Sequence, residues 1–495
     1  MRKHNRFAVR LVALILAGLL ALGAIVSIIL SEHAHAEGNS APDRYAISAE
    51  FLEDGQALRI SQRLVYTNRT GEALDRVEFS VYGNAFRRAS ALPYESGALP
   101  AALPKGYAPG GFEFSSITVD GAAADWGMVG ENELFLRVAC RLEDGESCEF
   151  GFEYTLLLTQ NAAFLGAGDT DWRLSGFYPE ALKWEDGDFV APKPIQHARY
   201  AYADRADYAF SIALPDRYIV AAPGEVAAKP NGDGTTTWSV FASGVRELAV
   251  SFGMRWRETA GETALGTRVR VLSNLRTGAG AALETSIEAL DTYEGWFGAL
   301  GGTVIVAQSD HAVGLLPLPG VLWVPDELFS DRMALRRALA KQFFGYAAYC
   351  MPTEDAWMSD ALSEYLAYLA LEDGEGHDAF LEELNRALVP SVQYTVPGGL
   401  EITTDAALFT QAEYDVIVRR RGALVFHELR SAMGLETMLE GLKRFYEKGL
   451  MTDVLGEYDL VDALDSASGG SWEAFLTDWL FNIDEYQRQN IEWME

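Results

Sequence analysis

The sequence predicts an α+β protein in two parts, an antiparallel β-sheet domain over residues 44–263 and a mainly helical domain over residues 264–495. Three observations carry this. With 495 residues, 49% of them apolar and 22% charged, the chain can bury large cores and is long enough for two or three domains. In the first part apolar residues alternate: Leu58, Ile60, Leu64 and Tyr66, then Val77, Phe79 and Val81, then Tyr208, Phe210, Ile212 and Leu214. Period two marks half-buried strands. Beyond residue 263 the period becomes helical, with Leu283, Ile287, Leu290 and Phe297 on one stripe, a short buried strand at 303–307, and helices for most of the rest.

Turn chemistry separates the strands, as at Asn231-Gly-Asp-Gly234, and the Pro/Gly-rich stretch 93–111 reads as a long surface loop. Forty Lys+Arg against 71 Asp+Glu give a formal charge of -31, which repels nucleic-acid phosphates and anionic lipid and leaves neutral or cationic partners.

Residues 1–36 read as an address. Arg2, Lys3, Arg6 and Arg10 precede a 20-residue apolar run at 11–30 broken only by Ser27, and Ala34-His35-Ala36 is an A-x-A cleavage site. The segment is a cleaved export signal or, since about 20 apolar residues span a bilayer, an uncleaved membrane anchor. Either way the remainder is extracytoplasmic, secreted or held at the membrane by residues 11–30 alone. Cleavage would reduce 40 bases and 71 acids to 36 and 70, or -34. In an oxidising compartment Cys140 and Cys148, which flank a hairpin-like turn, are expected either as a cross-strand disulfide or as two thiols, leaving Cys350 as a buried odd thiol. Three cysteines make no disulfide scaffold and no C-x-x-C pair.

A helix over 332–349 carries Arg337-Ala-Leu-Ala-Lys341-Gln-Phe-Phe-Gly345, and the next carries Asp355-Ala-Trp-Met-Ser-Asp360-Ala-Leu-Ser-Glu364-Tyr365. This frame resembles the aminopeptidase N family of zinc metallopeptidases, which carries H-E-x-x-H-Q-W-F-G on one helix and a third ligand nineteen residues after the second His. Gln342, Phe344 and Gly345 match the tail of the first motif, Asp355 and Trp357 the approach to the second, and nineteen residues from Lys341 falls Asp360. The resemblance implies a saddle-like N-terminal sheet domain and a thermolysin-like helical domain. It is supported in the first domain by Trp172 with Gly176-Phe-Tyr-Pro179 and by Val220-Ala-Ala-Pro-Gly-Glu225, and near the end by Ser468-Gly-Gly-Ser-Trp-Glu-Ala-Phe-Leu-Thr-Asp-Trp-Leu480.

The chemistry of the motif is absent. Zinc peptidases need two imidazoles one helical turn apart, a carboxylate from the next helix, and a Glu beside the first His as general base. The former ligand positions hold Arg337, Lys341 and Asp360, and the base position holds Ala338. A guanidinium has no lone pair for a metal. Pro317, in Gly314-Leu-Leu-Pro-Leu-Pro-Gly320, stands where the family's Glu anchors the peptide's amino terminus. Arg419, three residues before Gly422, stands where its transition-state Tyr would be, with Tyr414 five residues earlier. Histidines 197, 311, 377 and 427 rebuild no helical ligand pair, and His427-Glu428 lacks a second His.

No zinc or other cofactor is expected, and the family member implied is a pseudopeptidase that binds a peptide or a partner protein. The rival is an active metalloaminopeptidase with unusual ligands. For the altered site two readings stand. Arg337 and Lys341 form a salt-bridge cluster with Asp360 and Glu364, or Arg337, Lys341 and Arg419 outnumber their acids and, beside Glu364 and Tyr414, make a cationic pocket for a carboxylate. No G-x-S-x-G, P-loop or Gly-rich nucleotide fingerprint points to another site.

Overall fold

The computed structural model describes residues 42–481 apart from 53–55, 131, 198–201, 311–313 and 397, so the address segment and His311 lie outside the described residues. No helix among those described is long and apolar enough to cross a membrane.

The alternating segments are strands. Asp43–Leu52, Ala57–Thr67, Ala206–Pro215 and Ser147–Leu157 form the middle of an eight-stranded sheet, with Glu225–Pro230 at one edge and Ala122–Ala123 at the other. Neighbours run antiparallel except that Asp43–Leu52 pairs in parallel with Ala206–Pro215, a strand returning after a long excursion. Along Ala57–Thr67 the inward positions are Leu58, Ile60, Leu64 and Tyr66, all buried. The gap in this pattern is Gln62, equally buried, whose Nε2 donates to Pro179 O at 2.8 Å and so satisfies its amide inside the core. A four-stranded sheet that includes Leu74–Ser80 and Phe135–Leu142 covers this face, and Phe79 meets Phe150 and Phe152 edge-on at 5.1 and 5.2 Å.

The two cysteines are placed differently from the hairpin expected. Cys140 lies on Phe135–Leu142, which pairs with Leu74–Ser80, whereas Cys148 lies on Ser147–Leu157, which pairs with Ala57–Thr67. The short turn between them crosses from one sheet to the other instead of closing a hairpin, and both are free thiols in the structure. Cys350 is a buried free thiol.

A five-stranded sheet opens the second part, in the order Arg257–Glu262, Arg268–Ser273, Thr303–Gln308, Val321–Val324 and Leu316–Leu318. Arg257–Glu262 therefore pairs across residue 263 into the second sheet. The helices longer than two turns are α1 (Ala279–Phe297), α2 (Arg332–Lys341), α3 (Ala356–Glu375), α4 (His377–Ala387), α5 (Gly422–Met433), α6 (Leu435–Met451), α7 (Glu457–Ser468) and α8 (Glu473–Phe481). Asp331 caps α2 by accepting the Ala334 amide at 2.9 Å. Helix α3 is buried along both faces, with Trp357, Leu362, Tyr365 and Leu366 in the core, and α1, α2, α4 and α5 pack on it.

Three cations of the first domain grip the second near α2. Arg205 donates to Ala347 O at 2.6 Å, Arg246 meets Asp453 at 2.9 Å and lies 4.2 Å from the Tyr349 ring centroid, and Lys183 also reaches Asp453. Asp310 returns the grip by accepting the amides of Asp169 and Thr170 at 2.7 and 3.2 Å.

The α3–α5 crossing depends on one glycine. A Cβ on Gly422 would lie 2.5 Å from Ala361 Cβ. Gly422→Ala gains about 1 kcal/mol of helix propensity but forces two buried helices apart at a cost of about 1–3 kcal/mol. The variant is expected to be less stable than the parent by about 1 kcal/mol in chemical denaturation, and a variant more stable than the parent would show that the helices are free to separate there.

Candidate functional site

The site lies where α2, α3 and a third helical segment meet. Two of these carry an unusual turn: α2 runs into a π-helical turn, Gln342–Ala347, and the third segment contains a second, Asp415–Arg421, which precedes α5. Such turns are rare and concentrate at functional sites. The helical repeat puts Arg337 and Lys341 one turn apart on α2 and Asp360 and Glu364 one turn apart on α3.

The side chains pair in antiparallel order. Arg337 Nε contacts Glu364 Oε2, and Lys341 Nζ contacts Asp360 Oδ1. Arg419, from the second π-helical turn, stands 3.3 Å from the same Glu364 oxygen and 2.9 Å from Asp415 Oδ1. Tyr414 OH donates to Asp360 Oδ2 at 2.5 Å. The Arg337 and Arg419 contacts to Glu364 are meetings of charge without the alignment of a hydrogen bond. Glu364 is 4% exposed and Asp360 12%, so both carboxylates are shielded from water and their pairs are screened little.

Electrostatics hold the charged forms in place. Burial would pull the Arg337 guanidinium down, but Glu364 leads the surrounding acids and keeps it above its ordinary value. Burial and then Asp360 push the Tyr414 hydroxyl well above its ordinary value, so it stays protonated and donates. The first domain supports that ring: His197 Nε2 is 2.8 Å from Ala406 O, and its imidazole lies 4.9 Å from the Tyr414 ring.

The structure thus brings together Arg337, Lys341, Asp360, Glu364, Arg419 and Tyr414, with Ala338 buried beside them on α2. Pro317 sits on the edge strand Leu316–Leu318, its carbonyl accepting the Tyr346 hydroxyl. Gln342 ties the same strand to α2, accepting Gly320 N at 2.9 Å and donating to Leu318 O at 3.2 Å. A depression with room for about one water molecule is lined by Lys341, Tyr346, Tyr349, Ser359 and Asp360. Sequence reasoning missed Asp415 and Tyr346. The first was signalled by its i,i+4 spacing to Arg419. No local pattern marks Tyr346, whose role comes from a partner 29 residues away.

Among the described residues no group of three or more His, Cys, Asp or Glu side chains is arranged to hold a metal ion. His427 lies away from the cluster, on α5, with Nδ1 3.2 Å from Tyr365 OH. Burial, then Arg430, lowers it from 6.5 to about 4, and burial raises neighbouring Glu428 from 4.5 to about 7. The signs oppose. Between pH 4 and 6.5 the unfolded His427 binds the proton more readily, so its contribution is lost as pH falls. Between pH 4.5 and 7 the folded Glu428 keeps the proton longer, so its contribution is lost as pH rises. Glu428→Gln removes only the second effect, and its stability relative to the parent is expected to grow between pH 5 and pH 8. Chemical denaturation at both pH values checks this, and a pH-independent difference would contradict it.

No family model matches the chain. Aminopeptidase N of Lactococcus lactis subsp. lactis is 26% identical over 264 residues, 47% of this chain and 30% of the relative. Aminopeptidase M1-A of Oryza sativa subsp. japonica is 24% identical over 241 residues, 44% of this chain and 27% of the relative. The chain thus matches less than a third of the length of these curated relatives. Among solved structures, the M1 zinc metallopeptidase from Deinococcus radiodurans aligns with a TM-score of 0.62 over 89% of this chain and 93% of its own, at 16% identity. A two-domain M1 zinc metallopeptidase mutant bound to L-arginine gives 0.64 over the same 89% and 93%, again at 16% identity. The solved M1 zinc metallopeptidases share this chain's two-domain fold, and the sequence relatives that it resembles are aminopeptidases.

Proposed function

We propose that this chain is a non-catalytic aminopeptidase-like protein that acts outside the cytoplasm by binding a peptide or a partner protein. The observation that carries the reading is the pairing of Arg337 with Glu364 and of Lys341 with Asp360, in which Arg337, Lys341 and Asp360 hold the positions that the resemblance gives to the family's metal ligands.

The donor set does not fit a zinc ion. A tetrahedral zinc site takes lone pairs from imidazole, thiolate or carboxylate. Arg337 has no lone pair to give, Lys341 is an ammonium against a carboxylate, and the oxygens of Asp360 and Glu364 face cations and the Tyr414 hydroxyl. Hydrolysis also needs a group to take a proton from water, and Ala338 has none. The stabilisation of a developing oxyanion would fall to Arg419, which is already engaged by Glu364 and Asp415. Binding asks for none of these groups. The acidic surface implied by a formal charge of -31 favours neutral or cationic partners.

Protein purified without chelators and offered zinc is expected to hold far less than one zinc per chain by atomic emission, and to hydrolyse a panel of aminoacyl arylamides at background rate. Stoichiometric zinc, or activity that copurifies with the chain and disappears in Asp360→Ala, would sink the reading in favour of an active metallopeptidase.

A further inference from the structure

We infer that the ion cluster is a metal-free clamp that does the structural work of a bridging cation, pinning α2, α3 and the segment around the second π-helical turn through two carboxylates of α3. This goes beyond the binding role and rests on the parent chain carrying no zinc.

Three features support it. The charges are placed in matched order along antiparallel faces, Arg337 opposite Glu364 and Lys341 opposite Asp360. Two cations one turn apart on a helix repel, as do two carboxylates, so neither helix gains from its own pair. Facing each other, the same groups attract across the interface.

Each carboxylate also serves a third element. Glu364 is shared between Arg337 and Arg419, and Asp360 between Lys341 and the Tyr414 hydroxyl. Removal of either would release both neighbours from α3. A metal ion bound between two helices has the same topology, one centre with several elements attached, with the sign of the centre reversed.

Finally the cluster balances. Arg337, Lys341 and Arg419 face Asp360, Glu364 and Asp415, so three cations meet three carboxylates. Buried charges are tolerated when paired and costly when one partner is lost. The balance leaves no surplus cation among these groups for an acidic ligand, which favours the clamp over a cationic pocket.

If clamp and metal do the same work, one can be exchanged for the other. Arg337→His/Lys341→His places two imidazoles one turn apart on α2 opposite the carboxylates of α3, a zinc-type donor set. The parent should melt at the same temperature in EDTA and in zinc. The double variant should melt lower than the parent in EDTA, by roughly 5 °C or more, and zinc should recover most of that loss. A folded double variant whose midpoint zinc leaves unmoved, or one as stable as the parent in EDTA, overturns the clamp and leaves the binding function standing. Zinc in the parent would overturn both. Should the double variant not fold, Glu364→Gln keeps the shape and removes one bridging charge. It should lower the midpoint and speed amide exchange in both α2 and the second π-helical turn. An unchanged midpoint, or faster exchange in α2 alone, overturns the clamp.

Discussion

Two carboxylates on α3, Asp360 and Glu364, join α2, α3 and the segment before α5, because every charged group of the site reaches α3 through one of them. Their shielding sets the energy scale. A carboxylate that is 4% exposed and touches two guanidinium groups is worth several kcal/mol relative to the same carboxylate with its partners removed, whereas an exposed pair is worth about 0–1 kcal/mol. The apolar packing around α3 supplies cohesion without direction. The ion pairs add direction, since only one register sets both cations of α2 against both carboxylates of α3.

The surrounding frame keeps features that a simple helical bundle would not need. Two π-helical turns flank the cluster, and the first domain reaches across to support it through Arg205 on Ala347 O, Arg246 over Tyr349, and His197 against Tyr414. These contacts position backbone and rings around the ion cluster. Within the cluster the side chains compensate one another, opposite charges meeting in matched pairs.

Much of this was legible in the sequence, for identifiable reasons. The alternation in 57–67 and 206–215 defined strands because one face of each is buried, and the buried Gln62 broke the pattern without breaking the strand because its amide finds a backbone carbonyl. The i,i+4 spacings of Arg337 with Lys341 and Asp360 with Glu364 put like charges on one helix face, which required opposite charges nearby. What the sequence did not show was which charges meet. The antiparallel order and the sharing of Glu364 with Arg419 depend on tertiary packing across 55 residues of chain. The short turn between Cys140 and Cys148 misled for a related reason, since a hairpin and a crossing between two sheets use the same turn residues. The parallel pairing of Asp43–Leu52 was likewise hidden, because strand direction leaves no trace in alternation.

A vestigial active site and a working one differ most directly in what occupies the space between α2 and α3. Crystals grown with zinc and measured on either side of the zinc absorption edge would show it. No anomalous peak is expected there, with Arg337 on Glu364 and Lys341 on Asp360 in the electron density. An anomalous peak held by Asp360 or Glu364, with the two cations turned away, would contradict it.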